Sequence, residues 1–276
     1  SLVGSEMCIR DSIQIICNKR RLNQDLSCAL LFKRGYVMKD SFKRMFRNVN
    51  PAIVIIILIL LVNKMLNSNQ SIGDWLYTQL LLLPGIIIGL TFHEAAHGYV
   101  SHWLGDPTPG LQGRLSLNPM RHIDPVGFLA LFFAGFGWGQ PVQIDPRYYK
   151  HRRRDELLVA LAGVIANFII AFAASLGLKL MMNTMGTAVL YGAGEAAFYI
   201  LYYVMTVNIM LMIFNLIPVP PLDGFGIITQ IFDLQRYSWY HTVYHNGFLI
   251  LMILIIFNVT DRILTPGINF FINLFF

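Results

Sequence analysis

The chain has 276 residues, 55% hydrophobic and only 13% charged, with a mean hydropathy of +0.56. A soluble domain of this size carries about twice that share of charge, so an ordinary soluble protein is excluded and a membrane protein is expected. The formal net charge of +6 does not signal a nucleic-acid partner, because the basic residues flank apolar segments instead of lining one polar face.

Residues 1–12, SLVGSEMCIRDS, resemble translated adapter sequence. The stretch to Val37 has neither a sustained helical or strand period nor the order of a signal peptide. Residues 1–37 are therefore expected to be a non-native or disordered extension, with a native start at Met38; a genuine short cytosolic extension is the alternative. The three cysteines (Cys8, Cys17, Cys28) all lie in that stretch, which leaves no disulfide framework or thiolate metal site for the body of the chain. Met38 is followed by the basic residues Lys39, Lys43, Arg44 and Arg47.

From Pro51 onward, apolar runs can be counted at about 20 residues per crossing. Residues 51–66 make a short first span and residues 75–104 a second. Within the second stands His93-Glu94-Ala95-Ala96-His97. Histidines four apart are offset by about 40° around a helix, so both imidazoles face one way and can share a metal ion. The intervening glutamate is poised to take a proton from a water on that metal, the chemistry of a zinc hydrolase. Ionisable groups inside a membrane helix are costly without partners, so three together mark a functional site. Residues 126–139 carry four glycines and are too short to cross. Spans follow at 157–182, 195–217 and 242–258. The tail 263–276 is apolar but interrupted by Pro266 and Gly267, which suits the membrane interface.

The expected architecture is an all-α integral membrane protein of about five transmembrane helices (four to six), in one domain over 38–276. The loops 67–74 and 183–194 hold no Lys or Arg, whereas 105–156 holds seven. Positive charge inside then gives a cytosolic N-terminus and puts both ends of 126–139 on the cytosolic side. That segment is expected to be a re-entrant or β-hairpin element, covered by protein or lining a wet cavity. His93 precedes Leu104 by 11 residues, about 16 Å at helical rise. A hydrolase at that depth needs a polar channel, which the glycine-rich stretch 105–149 is expected to build.

A catalytic zinc usually takes three protein ligands. His102 lies about 140° around the helix from His97 and faces elsewhere. The better candidate is remote, in Asn215-Leu216-Ile217-Pro218-Val219-Pro220-Pro221-Leu222-Asp223-Gly224. The prolines cannot continue a helix, so the span 195–217 should unwind near the depth of His93. Asp223 from that unwound backbone would be the third ligand, although Asp-Gly after prolines is by itself a common turn.

HEAAH, followed in order by GDPTP, GRLSLNP, RHIDP, GWGQPV, AGVIAN and NLIPVPPLDG, resembles the site-2 protease family of intramembrane zinc metalloproteases. The likeness is strongest to compact bacterial members without PDZ or CBS domains, and it covers roughly residues 78–258. The resemblance implies one Zn2+ held by His93, His97 and Asp223, with Glu94 as general base. It implies Asn215 as the residue that stabilises the oxyanion or holds substrate. Gly163 and Asn167 match the family's small-residue motif, although a bare GxxxN is ordinary helix packing; Val164 stands where the family often has proline. Substrates would be transmembrane proteins, met in the lipid of a bacterial plasma membrane with the site towards the cytosol. No nucleic acid and no particular oligomeric state are implied.

A transporter or ion channel using the same His, Glu and Asp as an ion pathway is the alternative. It would show inverted repeats and paired broken helices, whereas this chain has one proline-broken segment and no repeat. A silent peptide-binding protein would need no base beside a metal. Leu111–Leu117 partly alternates, which suits either a strand edge for an extended peptide or a plain hairpin. His122 and Asp124 suit a structural turn, Tyr148 and Tyr149 interfacial aromatics, and Arg152–Arg154 an anchor for anionic lipid.

Overall fold

The computed structural model describes residues 71–134 and 137–276, all within one compact unit. The expected extension 1–37, the basic segment after Met38 and the span 51–66 lie outside the described residues.

Helix α1, Ile72–Trp103, starts at Ser71, whose Oγ accepts the Asp74 N–H at 3.1 Å. Such a cap satisfies one of the donors that a helix start leaves open. Helix α2 is Pro125–Ala134, capped by Asp124, whose Oδ1 accepts the Gly127 N–H. Helix α3 runs Arg152–Met185 and α4 runs Ala193–Leu216. Helices α1, α3 and α4 are each long and apolar enough to cross a membrane. In lipid the backbone must bond within its own segment, which favours long unbroken helices. Helices α5 (Asp223–Phe232), α6 (Trp239–His245) and α7 (Gly247–Ile256) follow. Taken together, α6 and α7 make a fourth candidate span, bent by 61°. The described residues thus hold three or four helices long and apolar enough to cross a membrane.

The interruption read at Pro266 and Gly267 does not occur. Val259–Phe275 is one continuous helix, α8, running through Pro266. Its Gly267 sits so close to α4 that an added Cβ would lie 2.8 Å from Ile213 Cδ1. Close packing on α4 compensates for the hydrogen bond that proline removes.

Small residues bring α1 onto α4 as well. A Cβ on Gly85 would meet the Tyr203 carbonyl at 2.8 Å, and one on Gly89 the Leu211 Cδ1 at 2.6 Å. This is the small-xxx-small contact by which membrane helices approach. Ile86 and Leu90 then pack with Val207, Leu211 and Leu131 of α2. A second cluster joins α3, α4 and α8 through Ala171, Leu178, Met205, Ile209 and Phe275. The outer side of α3 exposes Ile165, Ile169, Phe172, Leu176 and Leu180. An apolar face of that extent suits lipid, not water.

The described residues contain no strand. Thr108–Leu111 is a single helical turn, so a strand edge does not form at Leu111–Leu117. A bridge between Ile123 and Gly139 brings the two ends of the α2 segment together.

Candidate metal centre

His93 and His97 lie one turn apart on α1, and their Nε2 atoms are 3.1 Å apart. Asp223 Oδ2 closes the triangle, 3.1 Å from His93 Nε2 and 3.3 Å from His97 Nε2. The side chains are 8%, 12% and 19% exposed respectively. Asp223 arrives here because α4 ends at Leu216 and the proline segment turns the chain back on itself. The next residue must be glycine: a Cβ on Gly224 would lie 2.3 Å from the Leu216 carbonyl oxygen. Asp223 is the first residue of α5 and not part of unwound backbone, as the prolines alone suggest.

The triangle fits a metal ion. Tetrahedral zinc with donors at about 2.0–2.1 Å has neighbouring ligands about 3.3 Å apart. Two imidazole nitrogens and a carboxylate oxygen are a donor set that zinc accepts. Asp223 Oδ2 is buried and has no hydrogen-bond partner among the described residues, so they leave its desolvation uncompensated. Among the described residues this is the one group of three such ligands.

Helix α3 forms the wall behind the imidazoles. The Val159 carbonyl lies 2.7 Å from His97 Nδ1. A carbonyl only accepts, so it holds the proton on Nδ1 and leaves Nε2 its lone pair. One turn on, a Cβ on Gly163 would meet His93 Cε1 at 2.5 Å and His97 Nε2 at 2.6 Å. Only a residue without a side chain fits. One further turn on, the fully buried Asn167 brings Nδ2 to 3.4 Å from His93 Nδ1.

Glu94 and Asn215 line the same cavity of about 610 Å3 as the three ligands. Glu94 Oε2 accepts the Val142 N–H at 3.1 Å, from the extended stretch after α2. Gly139 passes just as close, where a Cβ would lie 3.2 Å from Glu94 Oε1. Asn215 spends one amide N–H on the Leu211 carbonyl at 3.0 Å. Polar groups continue the cavity away from the triad, among them Glu156, Gln230 and Tyr240.

The other polar residues near this end hold structure. Ser101 Oγ donates to Asp106 at 2.8 Å and meets Tyr149 OH at 2.7 Å. Asp106 also accepts the Thr108 and Asp145 N–H groups. Burial pushes the Asp106 carboxyl up, but these hydrogen bonds outweigh it and hold the group below the usual carboxylate range. Tyr149 is buried, contrary to the interfacial role its position suggests, and burial pushes its phenol up to about 12. His122 is fully buried with Nε2 on the Ser116 carbonyl, and burial pushes its imidazole down. His102 faces the Asp106 carbonyl, away from the triad. Arg153 donates to the last carbonyls of α5, Gln230 and Ile231, which adds an internal partner to the surface role read for Arg152–Arg154.

In the sequence Gly163 and Asn167 match a family motif that also suits ordinary helix packing, Val142 appears only as the end of GWGQPV, and Val159 is not singled out. Spacing offered a partial signal, since positions 159, 163 and 167 repeat every four residues and share a helix face. For Val142 the signal was the motif GWGQPV, which does not tell which of its groups meets Glu94.

Residues 81–257 match Peptidase family M50. The chain is 35% identical over 201 residues to "Putative zinc metalloprotease YwhC" of Bacillus subtilis, covering 71% of this chain and 90% of that protein. It is 26% identical over 197 residues to "Putative zinc metalloprotease Rip2" of Mycolicibacterium smegmatis, 69% of each chain. A Rip2 of Mycobacterium tuberculosis is 27% identical over 154 residues, 54% of this chain and 56% of that one. No solved structure matches the chain significantly.

Proposed function

This chain belongs to peptidase family M50, the site-2 protease family, and is a metalloprotease; from that premise we propose that it cuts transmembrane proteins within the bilayer, using one zinc ion held by His93, His97 and Asp223. The observation that carries the reading is the convergence of three donor atoms within 3.1–3.3 Å of one another. They come from helices far apart in sequence and share a cavity with Glu94.

Zinc, when bound, supplies Lewis acidity towards the scissile carbonyl and lowers the pKa of a water to about 7. The remaining work falls to the chain. Glu94 takes the proton of the attacking water and returns it to the leaving amine. The Val142 N–H holds Glu94 Oε2, which leaves Oε1 for that water. The second N–H of Asn215, not bonded to Leu211, donates to the oxyanion. A substrate helix unwinds before cleavage, because its carbonyls are otherwise bonded within the helix. Its extended backbone lies in the cavity between the proline turn and the Trp138–Val142 stretch.

The charge pattern supports a bacterial plasma-membrane protein with the N-terminus and the site towards the cytosol. In that orientation the segment joined by Ile123 and Gly139 is re-entrant, and it screens Glu94 from lipid while leaving a path for water.

The test is cleavage of a single-span reporter in liposomes. Glu94→Gln is expected to lower turnover by about 10²–10⁴-fold while zinc content stays at one per chain. Undiminished turnover by that variant would remove Glu94 from the mechanism.

A further inference from the structure

Two imidazoles hold the triad, and each needs a proton kept away from its metal-facing nitrogen. For His97 the Val159 carbonyl does this from the backbone of α3, at 2.7 Å from Nδ1. Among the described residues no carbonyl bonds His93 Nδ1 in that way. Its Nδ1 faces a side chain, Asn167, whose nearer amide atom lies 3.4 Å away.

The Asn167 amide is 0% exposed, and among the described residues its Oδ1 has no hydrogen-bond partner. A buried amide oxygen without a donor is costly, so the group has an unmet demand in this pocket. His93 Nδ1 supplies what is missing. A metal on Nε2 leaves the ring proton on Nδ1, and that N–H needs an acceptor. Half a turn about the last side-chain bond exchanges the amide's two ends, which are nearly the same size. Oδ1 then takes the Nδ1–H, and the orphaned oxygen and the unpaired N–H satisfy each other.

We propose that Asn167 is the positioning residue of His93: its Oδ1 fixes the Nδ1–H tautomer and aims the Nε2 lone pair at the metal, the part that the Val159 carbonyl plays for His97. Positions 159, 163 and 167 then form one device on α3. A carbonyl and an amide oxygen steer the two rings, and Gly163 between them leaves room for both. This rests on reading His93, His97 and Asp223 as the metal site.

The test measures zinc affinity of the full chain in detergent by competition with a chelator. Asn167→Leu keeps the volume and removes the acceptor, Asn167→Ala removes both, and Asn167→Asp keeps the acceptor. Loss of an outer partner of a ligating histidine weakens metal binding by about 10–100-fold. That loss is expected in the leucine and alanine variants, with the aspartate variant within about threefold of wild type, because carboxylates hold such histidines in the same way. The visible spectrum of the cobalt(II)-loaded protein should be alike in wild type and Asn167→Asp and altered in the acceptor-free variants. A purely packing role would instead make aspartate, the charged newcomer, at least as damaging as leucine, and that result overturns the proposal. So does wild-type affinity in Asn167→Leu or Asn167→Ala. Asp223→Ala serves as the control: if it too keeps its zinc, the site itself is wrong, whereas zinc loss there beside full retention in Asn167→Leu rejects only the role of Asn167.

Discussion

Helix α1 carries two buried polar clusters a single turn apart, and they differ in how their hydrogen bonds close. At Ser101 each donor has an acceptor: Tyr149 meets Ser101, Ser101 donates to Asp106, and Asp106 takes two backbone N–H groups as well. At His93 and His97 two imidazole nitrogens and a carboxylate oxygen face one another within 3.1–3.3 Å, and among the described residues Asp223 Oδ2 has no hydrogen-bond partner. Both clusters contain an aspartate in a mostly buried setting, so burial and charge do not tell them apart. Unmet lone pairs do. The closed network fastens the 104–150 region to α1, and the open one asks for a cation.

The difference can be broken most sharply at Gly163. Gly163→Ala puts a methyl group against both rings, at 2.5 and 2.6 Å from His93 Cε1 and His97 Nε2, so the imidazoles must part. Zinc affinity should fall by at least about 100-fold, beyond the range of a single lost outer partner, and chelator competition reads it directly. At the closed network the effect should be on folding alone. Asp106→Ala strands the Ser101, Thr108 and Asp145 donors and should lower stability by about 2–4 kcal/mol, with zinc affinity within twofold (roughly) of wild type. Unfolding in mild detergent checks it. The same carboxylate gives the smallest effect, a pH dependence. Its pKa is held below the ordinary value, so its contribution is full above about pH 4 and fades as pH falls through the lowered folded-state pKa. An Asp106→Asn variant should lack that acid-side loss.

The histidines and Glu94 were legible in the sequence because one helical turn places them, and helical spacing is local information. Asp223 was legible through the prolines, which force a break at the depth of His93. Its setting was not, because the sequence cannot say that the chain folds back onto Leu216 tightly enough to require Gly224 and to start a new helix. Pro266 misled for a related reason: α8 continues because Gly267 lies against Ile213, a contact from another helix. Tyr149 likewise reads as an interfacial aromatic until Ser101 claims its hydroxyl. Gly163 and Asn167 had the right spacing, but what a helix face looks upon is decided by tertiary structure.

The proposed metal centre needs a carboxylate from the far side of a proline turn to complete its two-histidine site. Zinc content of the detergent-purified chain after Asp223→Ala tests it most directly, measured beside wild type and the His93→Ala variant. One ion per chain in wild type and a large loss in both variants is the expected result. Undiminished zinc and unchanged affinity in Asp223→Ala would contradict it, since a metal held without that oxygen is held somewhere else.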